Sequence, residues 1–311
     1  MIIGVDQGNY QIKTAHCVFN TSLSEFKTDP GIGEILEYRG KFYSIGTKRL
    51  PVQQDKTIND DFYILTLIAI AKELEARAAE DDSISLDGTI GVELSMGLPP
   101  GHYNRERAET FNRYFLKNKH VHFTYNGQPF NIEIKDSWTF IQSFAAIAAP
   151  RLHKKGETME DSYLIVDIGG YTVDTIKVID KKVQPDAMES YDSGIIVLID
   201  QIKAMIKNKM LIQVSDKNIY DIFNHRKSFL PDDIISNVLE MKHRFEVNLL
   251  NEISESSDVD VRTVPVYFVG GGSKWFEEDF SANLPNAKFI DDVQANAKGY
   301  EAIYKAQHHK K

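Results

Sequence analysis

The sequence predicts an α/β protein of two domains, and three observations support that prediction. The chain has 311 residues, enough for two domains of ordinary size. Two strand–aspartate–glycine hairpins, one at the N-terminus and one near the middle, repeat the same order of residue types. A polar stretch at 153–158 separates the two halves. We therefore expect each half to be built around its own hairpin.

The central hairpin contains groups suited to phosphate and metal. An apolar, β-prone run at 162–166 ends at Asp167, and a second strand follows at 175–179. Gly169 and Gly170 lie between them, where a tight turn would let the backbone adopt positive φ and bring N–H groups near a ligand. Backbone amides and the Thr172 hydroxyl suit phosphate oxygens, and carboxylates suit hydrated Mg²⁺. An ordinary hairpin with aspartates as turn formers is the alternative.

The N-terminal hairpin repeats this pattern. A short strand at 2–5 ends at Asp6, Gly8 makes the turn, and Asn9 follows as a polar side chain. Lys13 lies where the returning strand would direct its ammonium towards a phosphate. Two such hairpins facing each other would hold a polyphosphate and its metal between two domains.

A third glycine loop follows a predicted strand at 264–269. It consists of Gly270, Gly271, Gly272 and Ser273, with a helix beginning just after it. Consecutive glycines allow backbone to pack flat against a planar base. The loop is therefore a candidate for contact with a nucleotide base.

These three motifs, in this order, resemble those of the actin-fold ATPases: actin, sugar kinases, the ATPase domains of heat-shock chaperones and bacterial actin-like proteins. Within that group the chain looks most like the ParM-type plasmid-segregation actins. The stretches that carry this nearer resemblance are GKFYSIGTK (40–48), ELSMGLPPGHY (93–103) and YFVGGGSKWF (267–276). The resemblance covers essentially the whole chain.

The resemblance implies an actin-like ATPase fold of two related domains, with the nucleotide in the cleft between them. The first domain would span 1–155 and include a returning C-terminal helix at 295–311, and the second would span 156–294. The expected cofactors are ATP or GTP and Mg²⁺. Asp6 and Asp167 would hold the metal largely through water, since Mg²⁺ keeps several waters and takes few direct carboxylates.

The resemblance also assigns roles to single residues. Gln142, between a strand end and a helix start, would orient the water that attacks the γ-phosphate, so the catalytic residues would be Gln142 and Asp167. Lys242 would line the adenosine pocket, although a surface salt bridge with Glu246 is the favoured alternative. The expected nucleotide-binding residues are Asp6, Gly8, Asn9, Lys13, Gly169, Gly170, Tyr171, Thr172, Asp174, Asp192, Gly194, Lys242, Gly270, Gly271, Gly272 and Ser273.

Composition narrows the functional classes. A net charge of −9 argues against a general nucleic-acid-binding surface. The single cysteine, Cys17, permits no internal disulfide and no cysteine-based zinc site, which fits a reducing cytoplasm. No apolar stretch is long enough to span a membrane, and the N-terminus has no secretion signal.

The resemblance favours an ATPase that forms filaments and segregates plasmid DNA. Its expected partners are other copies of the chain and a DNA-binding adaptor, with no direct contact to nucleic acid or membrane. A small-molecule kinase of the same fold is an alternative, but it needs a carboxylate base, and this segment offers Gln142 with Asp136 before it. A non-polymerising actin-like scaffold also stays open. A chaperone is disfavoured because no peptide-binding domain follows.

Overall fold

The computed structural model describes residues 1–153 and 160–308. The predicted linker after His153, and with it the predicted boundary at residue 155, lies outside these ranges, as do the last three residues of the predicted closing helix. Within the described ranges the chain divides into two compact units. The first comprises 1–153 together with 293–308, and the second comprises 160–292.

The strands and helices alternate along the chain as expected for an α/β protein. The strands are β1 (Ile2–Gln7), β2 (Gln11–Lys13), β3 (Val18–Asn20), β4 (Ser24–Phe26), β5 (Ile35–Tyr38), β6 (Lys41–Ser44), β7 (Thr89–Leu98), β8 (His120–Tyr125), β9 (Gln128–Ile141), β10 (Tyr163–Ile168), β11 (Val173–Ile179), β12 (Lys182–Tyr191), β13 (Val266–Val269) and β14 (Ala287–Phe289). The α-helices are α1 (Asp61–Glu80), α2 (Arg105–Leu116), α3 (Phe144–His153), α4 (Ile195–Met210), α5 (Asp216–Phe223), α6 (Asp232–Ser257), α7 (Glu277–Asn283) and α8 (Ala295–His308).

The two units repeat one strand arrangement. The first sheet has the order β3-β2-β1-β7-β9-β8-β5-β6-β4 and the second has the order β12-β11-β10-β13-β14. In each sheet, three antiparallel strands are followed by two strands that run parallel to the third. The three strands β3-β2-β1 are followed by β7 and β9, and the three strands β12-β11-β10 are followed by β13 and β14. The predicted internal duplication is therefore confirmed.

Each unit has its own apolar core. In the first unit, the first half of α1 is buried on every face, and its residues 62–71 are apolar apart from Thr66, as expected for a core helix. In the second unit, α4 and α6 bury aliphatic side chains such as Ile202 and Val238 together with strand β10. These cores hold the ends of β1 and β10, where the two candidate hairpins begin.

Helix α8 reaches the first unit through close backbone contacts. A Cβ atom on Gly4 of β1 would lie 2.0 Å from the Ala297 carbonyl oxygen, and one on Gly299 would lie 2.0 Å from the Ala145 carbonyl oxygen. On β7, a Cβ at Gly97 would meet the Tyr300 hydroxyl at 2.0 Å. Because these distances exclude any side chain, the glycines let α8 pack directly on β1, β7 and α3.

Strand β12 is the main element that the sequence did not predict. It pairs only with β11 in the described sheet order and forms that sheet's edge. It contains Pro185 and has little buried surface. A proline and the absence of apolar alternation argue against a strand in sequence, but an edge strand tolerates both.

Candidate functional site

The central hairpin places two carboxylates directly opposite each other. Strands β10 and β11 are antiparallel, with Asp167 paired to Asp174. Both aspartates are buried. Directly opposed residues project to the same face of an antiparallel pair, so the two carboxylates share one face of the sheet. The Ser190 hydroxyl donates to Asp174 Oδ1 at 2.5 Å, and the Thr172 hydroxyl donates to its Oδ2 at 3.5 Å.

The turn of this hairpin is closed by backbone contacts. The Gly169 amide donates to the Thr172 carbonyl at 2.8 Å. The predicted positive φ at Gly169 and Gly170 is wrong, since neither is among the described residues of positive φ. The turn instead closes with ordinary φ angles, and it is held from outside by helix α4.

Helix α4 begins directly against this turn. The amides of Gly194, Ile195 and Ile196 donate to the carbonyl oxygens of Tyr171, Gly169 and Gly170 at 3.0, 3.1 and 2.8 Å. A Cβ on Gly194 would lie 2.5 Å from the Gly170 oxygen, so glycine is needed there. The first amides of α4 therefore bind the loop itself. Gly194 thus supports the turn from behind, and its expected contact with nucleotide stays a prediction.

The triple-glycine loop folds onto the same hairpin. The Gly272 amide donates to the Ile168 carbonyl at 2.8 Å, and the Ser273 hydroxyl donates to the Gly270 carbonyl at 2.7 Å. Gly270 has φ +84°, and a Cβ there would lie 2.2 Å from Asp167 Oδ1. The positive φ in this loop is therefore at Gly270, the residue that passes over the Asp167 carboxylate.

The N-terminal hairpin carries a different cross-strand pair. Asp6, at the end of β1, is paired with Lys13 of β2. Their Oδ2 and Nζ atoms are 3.3 Å apart, with Asp6 buried and Lys13 partly exposed. A Cβ on Gly8 would lie 2.7 Å from the Gln11 carbonyl oxygen, so the turn needs glycine. Asn9 Oδ1 accepts from the Gln53 amide at 3.1 Å and thereby holds the loop before α1.

Gln142 lies between β9 and α3, as predicted. Its amide donates to the Leu98 carbonyl at 2.9 Å, at the end of β7. The next residue, Ser143, is buried and has φ +68°, which is unusual for a residue with a side chain. The Ser143 amide donates to Asn296 Oδ1 at 2.8 Å. Asn296, at the start of α8, was not singled out from the sequence.

Lys242 and Glu246 are buried, which corrects our preference for a surface salt bridge. They lie one turn apart on α6, and Lys242 also forms an ion pair with Asp279 of α7. Burial and the nearby Asp279 charge raise the pKa of Glu246 to about 7. The pair was predicted to be exposed because the i, i+4 spacing does not reveal that α7 covers it.

Two other residues bear on the site. Lys56 is buried and its Nζ donates to the Gln7 carbonyl, next to Asp6. No sequence pattern indicated its burial, because a lysine in a polar loop is normally exposed. Asp192 borders a groove between α4 and α6 with Gln201, Arg244 and Glu252.

The donor set fits a hydrated magnesium ion. Within the described ranges no group of three or more His, Cys, Asp or Glu side chains converges as a metal cage. Two carboxylates on one face, Asp167 and Asp174, match a cation that keeps most of its waters. The same described residues include no helix that is both apolar enough and long enough for a membrane span.

A family model and solved structures are similar to this chain. Residues 165–282 match the model described as "Archaeal actin homologue MreB-like, C-terminal". No sequence among the curated proteins matches. The archaeal actin homologue Ta0583 in complex with ADP is 17% identical, with a TM-score of 0.74 over 98% of this chain and 99% of that one.

Two ParM structures are also similar to this chain over almost its whole length. A ParM from a 15-stranded filament of Clostridium botulinum is 16% identical, with a TM-score of 0.72 over 98% of this chain and 99% of that one. Bacillus thuringiensis ParM with AMPPNP is 14% identical, with a TM-score of 0.64 over 99% of both chains. The chain therefore has the actin-like ATPase fold, and the predicted resemblance to ParM-type actin homologues is confirmed.

Proposed function

We propose that this actin-fold chain binds and hydrolyses ATP or GTP with Mg²⁺, and that nucleotide binding drives its assembly into filaments. The observation that carries this proposal is the buried pair Asp167 and Asp174 beneath the Gly270 loop. Like charges directly opposed in a sheet are destabilising, so a bound cation would stabilise this pair. The similar proteins whose structures contain ADP or AMPPNP support the nucleotide, and the filament structure supports assembly.

Different residues of the chain are proposed to bind the metal, the phosphates and the rest of the nucleotide. We propose that Asp167 and Asp6 hold water molecules around Mg²⁺, which would neutralise charge on the phosphate oxygens when bound. Lys13, whose Nζ is 3.3 Å from Asp6, would contribute a positive charge for phosphate. The other residues proposed to contact nucleotide are Gly8, Asn9, Gly169, Gly170, Tyr171, Thr172, Asp174, Asp192, Gly194, Lys242, Gly270, Gly271, Gly272 and Ser273.

We propose that Gln142 orients the attacking water. A neutral amide suits this role because the loose phosphoryl transition state requires little early proton abstraction. Its backbone is fixed at two points, by the Leu98 carbonyl and by the Asn296 side chain through Ser143. The side chain therefore starts from a rigid position.

The structure weakens the kinase alternative. A kinase needs a carboxylate base near its acceptor hydroxyl, and Asp136 is the nearest acid before Gln142. Both Asp136 oxygens are engaged, since Oδ2 accepts from the Tyr304 hydroxyl at 2.7 Å and Oδ1 accepts from the Ser137 amide at 2.8 Å. Asp136 therefore ties β9 to α8.

We also propose that the filaments move or space plasmid DNA in the cytoplasm through a separate basic adaptor. The resemblance to ParM supports plasmid DNA as the cargo. A net charge of −9 disfavours direct binding of the chain to duplex DNA, so a separate adaptor is proposed. The purified protein should leave DNA mobility unchanged on a gel unless an adaptor is added. Retarded DNA without any partner would contradict the adaptor.

The test of the central proposal is assembly with nucleotide. Light scattering and pelleting should show polymer above a critical concentration with Mg-ATP or Mg-GTP, and negative-stain images should show filaments. A protein that stays monomeric with a non-hydrolysable nucleotide, yet phosphorylates a small metabolite, would be a kinase instead.

A variant of Gln142 tests the chemistry separately. Gln142→Ala should bind nucleotide and assemble, but should release phosphate at least about tenfold more slowly, and its filaments should persist longer. Gln128→Ala, on the hairpin between β8 and β9, is the matched control and should behave as the parent. Faster disassembly of the Gln142 variant would contradict the role.

A further inference from the structure

The second unit exposes apolar side chains at the end of helix α4. Leu211, immediately after the helix, is 88% exposed, and Ile212 follows it at 38%. Two exposed lysines, Lys207 and Lys209, lie in the last turn of α4. We call these four residues the basic tip.

Leu211 has a backbone conformation that is unfavourable for leucine. It has φ +57°, the left-handed conformation that ends many helices and that glycine or asparagine adopts with least strain. A leucine there has both backbone strain and an exposed apolar side chain. Strain and exposure at one residue point to a binding role, because neither stabilises the isolated unit.

A second surface of the same unit combines apolar side chains with acidic ones, and so complements the apolar and basic side chains of the tip. A groove of about 560 Å³ lies along the C-terminal half of α6 and the loop after it. Val247 and Leu250 supply apolar surface, and Glu255 and Asp258 supply negative charge. Asp260 and Arg262 also line the groove, and they form an ion pair with each other. The C-terminal end of α6 adds a partial negative charge from its helix dipole. We call this surface the acidic groove.

The two surfaces lie at opposite ends of the helical layer. Lys203 in the second half of α4 pairs with Asp216 at the start of α5. Phe223 at the end of α5 lies under Lys242 in the first half of α6, so the end of α4 lies on the side of the first half of α6. The acidic groove lies towards the end of α6. At 1.5 Å per helical residue, the two surfaces are roughly 20 Å or more apart. One copy therefore does not cover its groove with its own tip.

We propose that the basic tip of one copy docks in the acidic groove of the next copy, as a head-to-tail contact in the filament. Apolar residues meet apolar residues and lysines meet carboxylates, which is the complementarity of a specific interface. A contact between two different surfaces of one chain repeats without closing unless a rotation completes a ring, so it generates an open polymer. This inference rests on the proposed filament function and identifies the surfaces that form it.

The apolar part is tested with Leu211→Asn. Asparagine accepts positive φ, so the fold is retained, and melting temperature and nucleotide binding should stay at parental values. The critical concentration for assembly with a non-hydrolysable nucleotide should rise at least about tenfold, as for loss of a central interface anchor. Ile32→Asn, which is similarly exposed at 78% but lies in the first unit, is the matched control and should leave it unchanged.

The charged part is tested by reversal and restoration. Lys209→Glu and Glu255→Lys should each raise the critical concentration at least about fivefold, because like charges then face each other. The double variant should return to within about threefold of the parent. Parental assembly of the Leu211 variant, or no recovery in the double variant, would overturn the contact. Failure of the parent protein to assemble would instead overturn the filament function.

Discussion

The two hairpins share a backbone design and differ in the charge across their strands. In the first, Asp6 faces Lys13, and the two side chains form an ion pair. In the second, Asp167 faces Asp174, and both are buried. The cross-strand pair therefore joins an acid to a base in one hairpin and an acid to an acid in the other. One scaffold thus supplies a loop with an internal ion pair and a loop with two facing carboxyl groups, which we propose as a cation site.

A second difference lies in what supports each turn. The turn after β10 is held by the first amides of α4 and by the Gly270 loop. The turn after β1 is held by side chains, since the Thr21 hydroxyl donates to the Gly8 carbonyl at 2.5 Å and Asn9 accepts from Gln53. The loop with two facing acids is therefore the one that is supported by backbone contacts.

The largest effect that we expect comes from neutralising one carboxylate in each hairpin. Asp167→Asn should reduce phosphate release at least about 100-fold, because it removes a proposed metal ligand. It should leave the free energy of unfolding unchanged or slightly higher, because it relieves the repulsion with Asp174. Steady-state phosphate release and urea unfolding measure the two quantities.

The matched variant in the first hairpin should behave in the opposite way towards stability. Asp6→Asn leaves the Lys13 ammonium without its carboxylate partner, so it should lower the free energy of unfolding by about 1–2 kcal/mol. Equal stability losses in the Asp6 and Asp167 variants would show that the two hairpins do not differ as their cross-strand pairs indicate.

The next effect concerns the support of the turns. Gly194→Ala would place a Cβ 2.5 Å from the Gly170 oxygen, against backbone that α4 holds in place. We expect a loss of about 2–3 kcal/mol in the free energy of unfolding, the upper range for overpacking. Gly8→Ala meets only the Gln11 carbonyl of its own turn, at 2.7 Å, and should cost about 1 kcal/mol. Urea unfolding of both variants ranks them, and the reverse order would contradict the difference in support.

The smallest effect that we expect is a pH dependence of stability that comes from Glu246 on α6, in the second unit. Burial and Asp279 raise the pKa of Glu246 from 4.5 to about 7. The folded state therefore binds an extra proton between these values, so this stabilisation is complete below pH 4.5 and is lost as pH rises through 7. From pH 5 to 7.5 the parent should lose on the order of 1–2 kcal/mol more stability than Glu246→Gln. Parallel pH profiles would contradict the raised pKa.

The sequence predicted the elements whose signals are local. Apolar runs ending at Asp6 and Asp167 identified both hairpins. The dipeptide Asn126-Gly127 is a strong local signal for a hairpin turn, and it forms the turn between β8 and β9 with positive φ at both residues. The run rich in Leu, Ile and Ala at 62–79 predicts a helix, and the structure extends it by one residue at each end. These features depend on residues that are close together in the sequence, so they can be predicted from the sequence alone.

Features set by distant neighbours were missed or misassigned. Which glycine of the triple-glycine loop takes positive φ depends on how this loop crosses Asp167, which lies about 100 residues earlier in the chain. The burial of Lys242 depends on α7, and the fixed amide of Ser143 depends on Asn296, 153 residues away. No local pattern records these contacts, because each requires the tertiary fold.

The close packing of α8 has a consequence for biosynthesis. Because Gly4 and Gly97 receive α8 directly, the first unit needs residues synthesised after the whole second unit. Domains usually fold in the order in which they leave the ribosome. Here the unit that emerges first is completed last, so its exposed β1 and β7 surface must await the arrival of α8. During translation, that surface is where a nascent-chain chaperone would have most to protect.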